Sequence, residues 1–104
     1  MDTLKRLEAT IAARANASPD SSYVAKLNAG GTGKIAQKLG EEATEAVIAS
    51  LSGNTDELLG EAADVIFHLM VLLQNKGVAL DDVMAELDRR EGVSGLDEKA
   101  SRSE

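Results

Sequence analysis

Along this chain apolar residues recur mostly at intervals of three and four, the spacing that lines one face of an α-helix. Leu4, Leu7, Ile11 and Ala12 mark such a stripe over residues 3–15, with polar residues on the other side. NASPDSS, residues 16–22, holds the only proline and reads as a turn. SYVAKLNAGGTGK, residues 22–34, shows little regular pattern and reads as a loop leading into a helix. Gly30 and Gly31 punctuate it, and Thr32 follows as an expected N-cap. From about residue 33 to 51 the pattern is helical, interrupted at Gly40, and SGNTDE at 52–57 supplies a stop, a new N-cap and two acids for the next first turn. A second long helix is predicted for about 56–75. Its VIFHLMVLL segment, 65–73, is apolar nearly all round apart from His68, which suits a bundle centre or a dimer interface. Lys76 and Gly77 end it. LDDVMAELDRR, 80–90, is another well-patterned helix, and residues 91–104 read as a polar tail with two glycines. The pattern predicts an all-α fold, a four- to five-helix bundle joined by short loops. A single domain over 1–104 is expected, because splitting the chain leaves pieces too small to bury a core.

Composition agrees with packed helices. Hydrophobic residues make up 43% of the chain, and Tyr23 and Phe67 are the only aromatics, so the core must come from Leu, Val, Ile, Ala and Met. The formal charge of −7 argues against nucleic acid as partner, since that binding relies on Lys and Arg neutralising phosphates. A phosphate-bearing ligand would need a divalent cation between it and so acidic a protein. The absence of cysteine excludes disulfides, thiolate zinc sites and a cysteine nucleophile. The charged, amphipathic start lacks the apolar run of a signal peptide, and no segment reaches the roughly 20 apolar residues of a membrane span. A cytoplasmic protein with no membrane partner is expected.

The charges themselves are unevenly placed. At about 100° per residue, Lys34, Lys38, Glu41, Glu42 and Glu45 fall in one arc, bordered by Ile35, Leu39, Ala43, Ala46 and Val47. On the next helix Glu57, Glu61, Asp64 and His68 form a stripe beside Leu58, Val65, Leu69 and Leu72. Two antiparallel helices would bring Glu42 and Glu45 opposite Glu61 and Asp64. Such a cluster is either a solvated face or a cation site. The second pair precedes an almost wholly apolar segment, where unpaired acids are costly to bury. Hard carboxylate oxygens select Mg²⁺, with Mn²⁺ as the alternative, and such a cation also binds the oxygens of a di- or triphosphate. Glu42, Glu45, Glu61 and Asp64 make two i,i+3 pairs suited to direct ligation. Glu41 is placed to bind a second metal or to orient the attacking water, and Lys34 and Lys38 to meet phosphate charge. His68 reads as a hydrogen-bonded core residue, Tyr23 as a packing residue, and Met70 and Met84 as core. Lys99 and Arg102 are either a solvated charge run or phosphate contacts.

GEEATE at 40–45 and EAAD at 61–64 resemble the EExxE and ExxD signature of the all-α nucleoside triphosphate pyrophosphohydrolases, the MazG-like superfamily. SSYVAKL, GTGKIAQKLGEEATEAVIAS, ELLGEAADVIFHLMVLLQNKGVALDDVMAELDRR and the closing SGLDEKASR are similar to one branch of it, the phosphoribosyl-ATP pyrophosphohydrolase family of histidine biosynthesis. The resemblance implies Mg²⁺-dependent hydrolysis of phosphoribosyl-ATP to phosphoribosyl-AMP and pyrophosphate by a homodimer. It implies Glu41, Glu42 and Glu45 as catalytic, Glu42, Glu45, Glu61 and Asp64 as metal ligands, and Tyr23, Lys34, Lys38, Lys99 and Arg102 as substrate-binding. Two departures are mild: Phe67 stands where a tyrosine is common, and Ala79 where a serine often caps the last core helix. In many organisms the activity is fused to a cyclohydrolase, and a monofunctional version is expected here. A housekeeping pyrophosphohydrolase for other nucleotides is the rival with the same acids, and a non-catalytic helical dimerisation module the rival without chemistry.

Overall fold

The computed structural model describes residues 2–102, apart from the side chains of residues 2 and 98, so Met1 and the tail residues Ser103 and Glu104 lie outside the described residues. Among the described residues six helices follow in chain order: α1 (Asp2–Arg14), α2 (Tyr23–Gly30), α3 (Thr32–Ser52), α4 (Thr55–Asn75), α5 (Leu80–Arg90) and α6 (Gly95–Ser101). The described residues contain no strand, and the fold is all-α as expected.

The centre of the molecule is an antiparallel hairpin of α3 and α4, two arms of 21 residues each, or about 30 Å at 1.5 Å per residue. Its turn is short because the sequence closes one helix and opens the next at once. Gly53 adopts φ 79°, a left-handed conformation that a Cβ would strain, and the Asn54 side chain accepts the Glu57 N–H at 3.1 Å. Helices α1 and α2 pack against the open end of this hairpin. There Ile11, Val24, Leu27, Ile35, Met70, Val71 and Leu80 form the buried core, with Leu4, Leu7, Phe67, Leu72 and Met84 partly buried against it. Met70 and Met84 are therefore core residues, as their spacing indicated.

The structure corrects three expectations. Residues 23–30 are a two-turn helix rather than a loop: the Ser22 hydroxyl accepts the Ala25 N–H at 3.2 Å, and Val24, Ala25 and Leu27 are buried. Eight residues are too few for the helical period to declare itself. Thr32 is the first residue of α3 and not its cap, because Gly31 at φ 89° holds that position. The Thr32 hydroxyl instead donates to Asn75 Oδ1 at 2.6 Å, and Asn75 Nδ2 donates to Asn28 Oδ1 at 3.1 Å, tying α2, α3 and α4 together. The tail holds α6, whose start is capped by Ser94 accepting the Asp97 N–H at 3.1 Å.

Ala79 indeed offers α5 no side-chain cap. Glu8 of α1 supplies one from a distance, accepting the Leu80 N–H at 2.7 Å, while Lys5 bridges Glu8 at 3.4 Å and Asp81 at 3.1 Å.

Candidate metal centre and substrate cleft

Opposite positions on an antiparallel hairpin lie equally far from its turn. Glu45 and Glu61 are each eight residues from Gly53, and Glu42 and Asp64 are each eleven. One oxygen from each of Glu42, Glu45 and Glu61 lies within 4.8 Å of the others. Asp64 joins Glu45 and Glu61 in lining a cleft of about 420 Å³, together with Ile48, Ala49, Asp56, Glu57 and Gly60. That volume is within the range of small-molecule sites. The structure thus brings Glu42, Glu45 and Glu61 together, with Asp64 beside Glu45 and Glu61 in the cleft wall. It adds Glu57, which the helical period puts in the stripe with Glu61 and Asp64, and Asp56, whose position in the first turn of α4 signalled only helix capping. A larger cavity of about 530 Å³ between α1, α4 and the start of α5 is mostly apolar, and its Lys5 and Glu8 are already engaged with each other and with α5.

The acids are not equivalent. Glu42 is buried, and its Oε2 is enclosed with no hydrogen-bond partner. A buried carboxylate oxygen left unpaired is costly, and a hard cation between the helices is the partner that fits it. Lys38 Nζ lies 4.0 Å from the other Glu42 oxygen and 3.7 Å from Glu41. Glu61 has its pKa raised, first by partial desolvation, then by the nearby Glu45 charge and hydrogen bonding with Glu45, and by Glu42 and Asp64. Glu41, at the rim, is shifted the other way. The Gln37 amide donates to it at 3.0 Å, the largest cause, and Lys38 and Lys34 add favourable charge. A carboxylate so stabilised stays ionised and orients or binds rather than taking up protons.

Lys38 therefore stands between Glu41 and Glu42, and Lys34 contributes to the field at Glu41 from two turns upstream. Lys99 is exposed in the last turn of α6. Neither it nor Arg102 lines the acidic cleft.

His68 is 96% buried one turn beyond Asp64, with Nδ1 2.8 Å from the Asp64 backbone oxygen and Nε2 2.8 Å from the Tyr23 hydroxyl. The core reading of His68 holds, but its partner is unexpected. Tyr23 is half exposed, stacked near-parallel on Phe67 with centroids 6.0 Å apart. The pairing joins residues 45 positions apart, which no local pattern could signal.

Comparison with known proteins agrees with the geometry. A family model described as phosphoribosyl-ATP pyrophosphohydrolase matches residues 4–91. A phosphoribosyl-ATP pyrophosphatase of Erythrobacter litoralis is 71% identical over 104 residues, covering all of both chains. Those of Novosphingobium aromaticivorans and Rhizorhabdus wittichii are 66% identical over 102 residues and 64% over 100, covering 98% and 96% of this chain and 95% and 94% of their own. The chain, with its facing EExxE and ExxD acids on one helical hairpin, belongs to the phosphoribosyl-ATP pyrophosphohydrolase family.

Proposed function

We propose that this protein hydrolyses phosphoribosyl-ATP to phosphoribosyl-AMP and pyrophosphate, a step of histidine biosynthesis, in the cytoplasm and as a homodimer with one catalytic domain per chain. The observation that carries the reading is the convergence of one carboxylate oxygen each from Glu42, Glu45 and Glu61 within 4.8 Å, on a Glu42 that also buries an unpaired oxygen. Surface acids on a solvated helix face have no reason to bury an oxygen in this way.

Glu42, Glu45, Glu61 and Asp64 would hold Mg²⁺, or Mn²⁺ in its place. When bound, the cation supplies charge neutralisation of the polyphosphate and lowers the pKa of a bound water. The chain's own residues do the rest. The two i,i+3 pairs hold their carboxylates on rigid helices fixed by the Gly53–Asn54 turn. Glu41, kept ionised by Gln37, accepts a hydrogen bond from the attacking water and orients it. Lys34 and Lys38 meet phosphate charge at the rim, Tyr23 is a substrate contact tied to the Asp64 backbone through His68, and Lys99 and Arg102 of the C-terminal segment contact the phosphate-bearing end of the substrate.

The test is turnover of phosphoribosyl-ATP beside a panel of ordinary and noncanonical nucleoside triphosphates, with and without Mg²⁺, and complementation of a histidine auxotroph lacking this step. Pyrophosphate release from phosphoribosyl-ATP, abolished by chelation, is expected. Preference for the triphosphate panel would establish the housekeeping reading, and no hydrolysis of any nucleotide the dimerisation module.

A further inference from the structure

Glu41 is engaged at both of its oxygens by residues of the preceding turn of α3. The Gln37 side-chain nitrogen lies 3.0 Å from Oε2, and Lys38 Nζ lies 3.7 Å from Oε1. A carboxylate only accepts, so the amide nitrogen of Gln37 faces it and donates. The two contacts differ in kind. At 3.0 Å the amide makes a full hydrogen bond, whereas 3.7 Å is an ion pair too long for one.

They also pull in different directions around the helix. At about 100° per residue, Lys38 stands about 40° from Glu42 and Gln37 about 140° from it. Lys38 Nζ is shared with Glu42 Oε1 at 4.0 Å, and Glu42 is the residue that joins Glu45 and Glu61 in the carboxylate cluster. Oε1 of Glu41 is therefore the oxygen on the cluster side, and Oε2 is tethered on the outer side. A polyphosphate arriving at the cluster competes for only one of the two partners. The Lys38 ammonium is drawn to its charge, while the uncharged Gln37 amide keeps its bond.

We propose that Gln37 is a positioning residue for the hydrolysis: it holds Oε2 of Glu41, so that Oε1, released when Lys38 turns to phosphate, is the oxygen that meets the attacking water. The proposal rests on the reading of Glu41 as the group that orients this water. A plain i,i+4 pair on an exposed helix face would only add slightly to the stability of α3, and the two roles separate in kinetics.

Gln37→Met keeps the length of the side chain and removes the donor. It should lower kcat for phosphoribosyl-ATP about tenfold, the scale of one hydrogen bond to a charged group. Mg²⁺ affinity in calorimetric titration should stay within about twofold, because metal ligation is untouched, and Tm within about 2 °C, as for an exposed helix pair. Gln37→Glu, of the same shape with an acceptor in place of the donor, should lose more. Gln37→Lys, which restores a donor one turn from Glu41, should recover most of kcat. In Glu41→Gln protein the further change Gln37→Met should alter kcat less than about twofold, since Gln37 acts only through Glu41. Wild-type kcat in Gln37→Met, Mg²⁺ affinity falling as far as kcat, or the same loss in both backgrounds would each overturn the proposal. Failure of the wild-type protein to hydrolyse phosphoribosyl-ATP would instead remove the substrate reading, and the same cycle on the nucleotide that is hydrolysed would decide the role of Gln37. Hydrolysis of no nucleotide would remove both.

Discussion

Glu61 is the carboxylate whose neighbours most oppose its charge, and this has consequences for stability as well as chemistry. Its folded-state pKa is raised by partial desolvation and by Glu45, Glu42 and Asp64. The folded protein thus binds that proton more tightly than the unfolded chain does. Stability from this group is present at low pH and is lost as pH rises through the folded value. Glu86 has the opposite sign: hydrogen bonds from Arg89 and Arg90 hold it at about 2, so its contribution is lost as pH falls from the ordinary 4.5 toward that value. Glu61→Gln in chelator should therefore melt higher than wild type at about pH 7, with the difference shrinking toward about pH 4. Equal melting at both pH values would mean that the acids do not repel. Mg²⁺ should reverse the order, stabilising wild type by about 2.7 kcal/mol at a hundred times its Kd while leaving Glu61→Gln little changed. Glu45→Gln and Asp64→Asn are expected to lower both Mg²⁺ affinity and turnover by about a hundredfold or more, beyond what losing an outer hydrogen-bond partner costs. Glu41→Gln should lower kcat more than metal affinity, since its carboxylate is engaged by Gln37 at the rim. Calorimetric titration paired with turnover separates these cases, and wild-type affinity and rate in Glu45→Gln would return the cluster to a solvated face.

At the scale of elements, local chemistry made the long helices legible. Periodicity and the SGNTDE turn placed α3 and α4 within a residue or so, and α5 was read with its observed limits, because each carries several turns of pattern with stop signals at its ends. The same periodicity put Glu42 and Glu45 on the side facing Glu61, so the acidic cluster was legible too. What escaped was short or distant. Helices α2 and α6 have too few residues to show a period, and Thr32 looks like a cap until Gly31 is seen in its φ 89° conformation. The Tyr23–His68 bond and the Glu8 cap on Leu80 depend on tertiary approach. The Glu8 cap explains how α5 tolerates Ala79. Glu8→Ala should cost about 1 kcal/mol, typical of a lost N-cap, lowering Tm by roughly 4–8 °C for a domain of this size. Adding Ala79→Ser should recover much of it, since residue 79 already has extended cap geometry at φ −77°, ψ 144°. A Glu8→Ala protein that melts with wild type would show that water caps α5 equally well.

The whole molecule is looser than one chain of its length should be. Its radius of gyration is 15.6 Å, against about 13 Å for a compact domain of about 100 residues. The excess comes with an uncovered hairpin tip. The core occupies the open end, where α1, α2 and α5 meet, whereas Val47, Ile48 and Leu51 on α3 and Leu58 and Leu59 on α4 are exposed near the turn, Leu51 at 83% and Leu59 at 73%. Clustered apolar exposure of this kind marks an association surface, and a second copy covering the tip is the homodimer proposed above. Ile48 belongs to this patch and also lines the acidic cleft, so the partner would close one wall of the site. Light scattering at micromolar concentration should give about twice the 10.9 kDa chain mass. Introducing Leu51→Glu and Leu59→Glu together should yield monomers, because two charges cannot be buried unpaired in an apolar contact. Neither side chain lines the cleft, so Mg²⁺ affinity should change little while turnover falls at least about tenfold through loss of the covering wall. A wild-type monomer would refute the dimer, and a dissociated variant with full turnover would show that each chain's cleft is complete by itself.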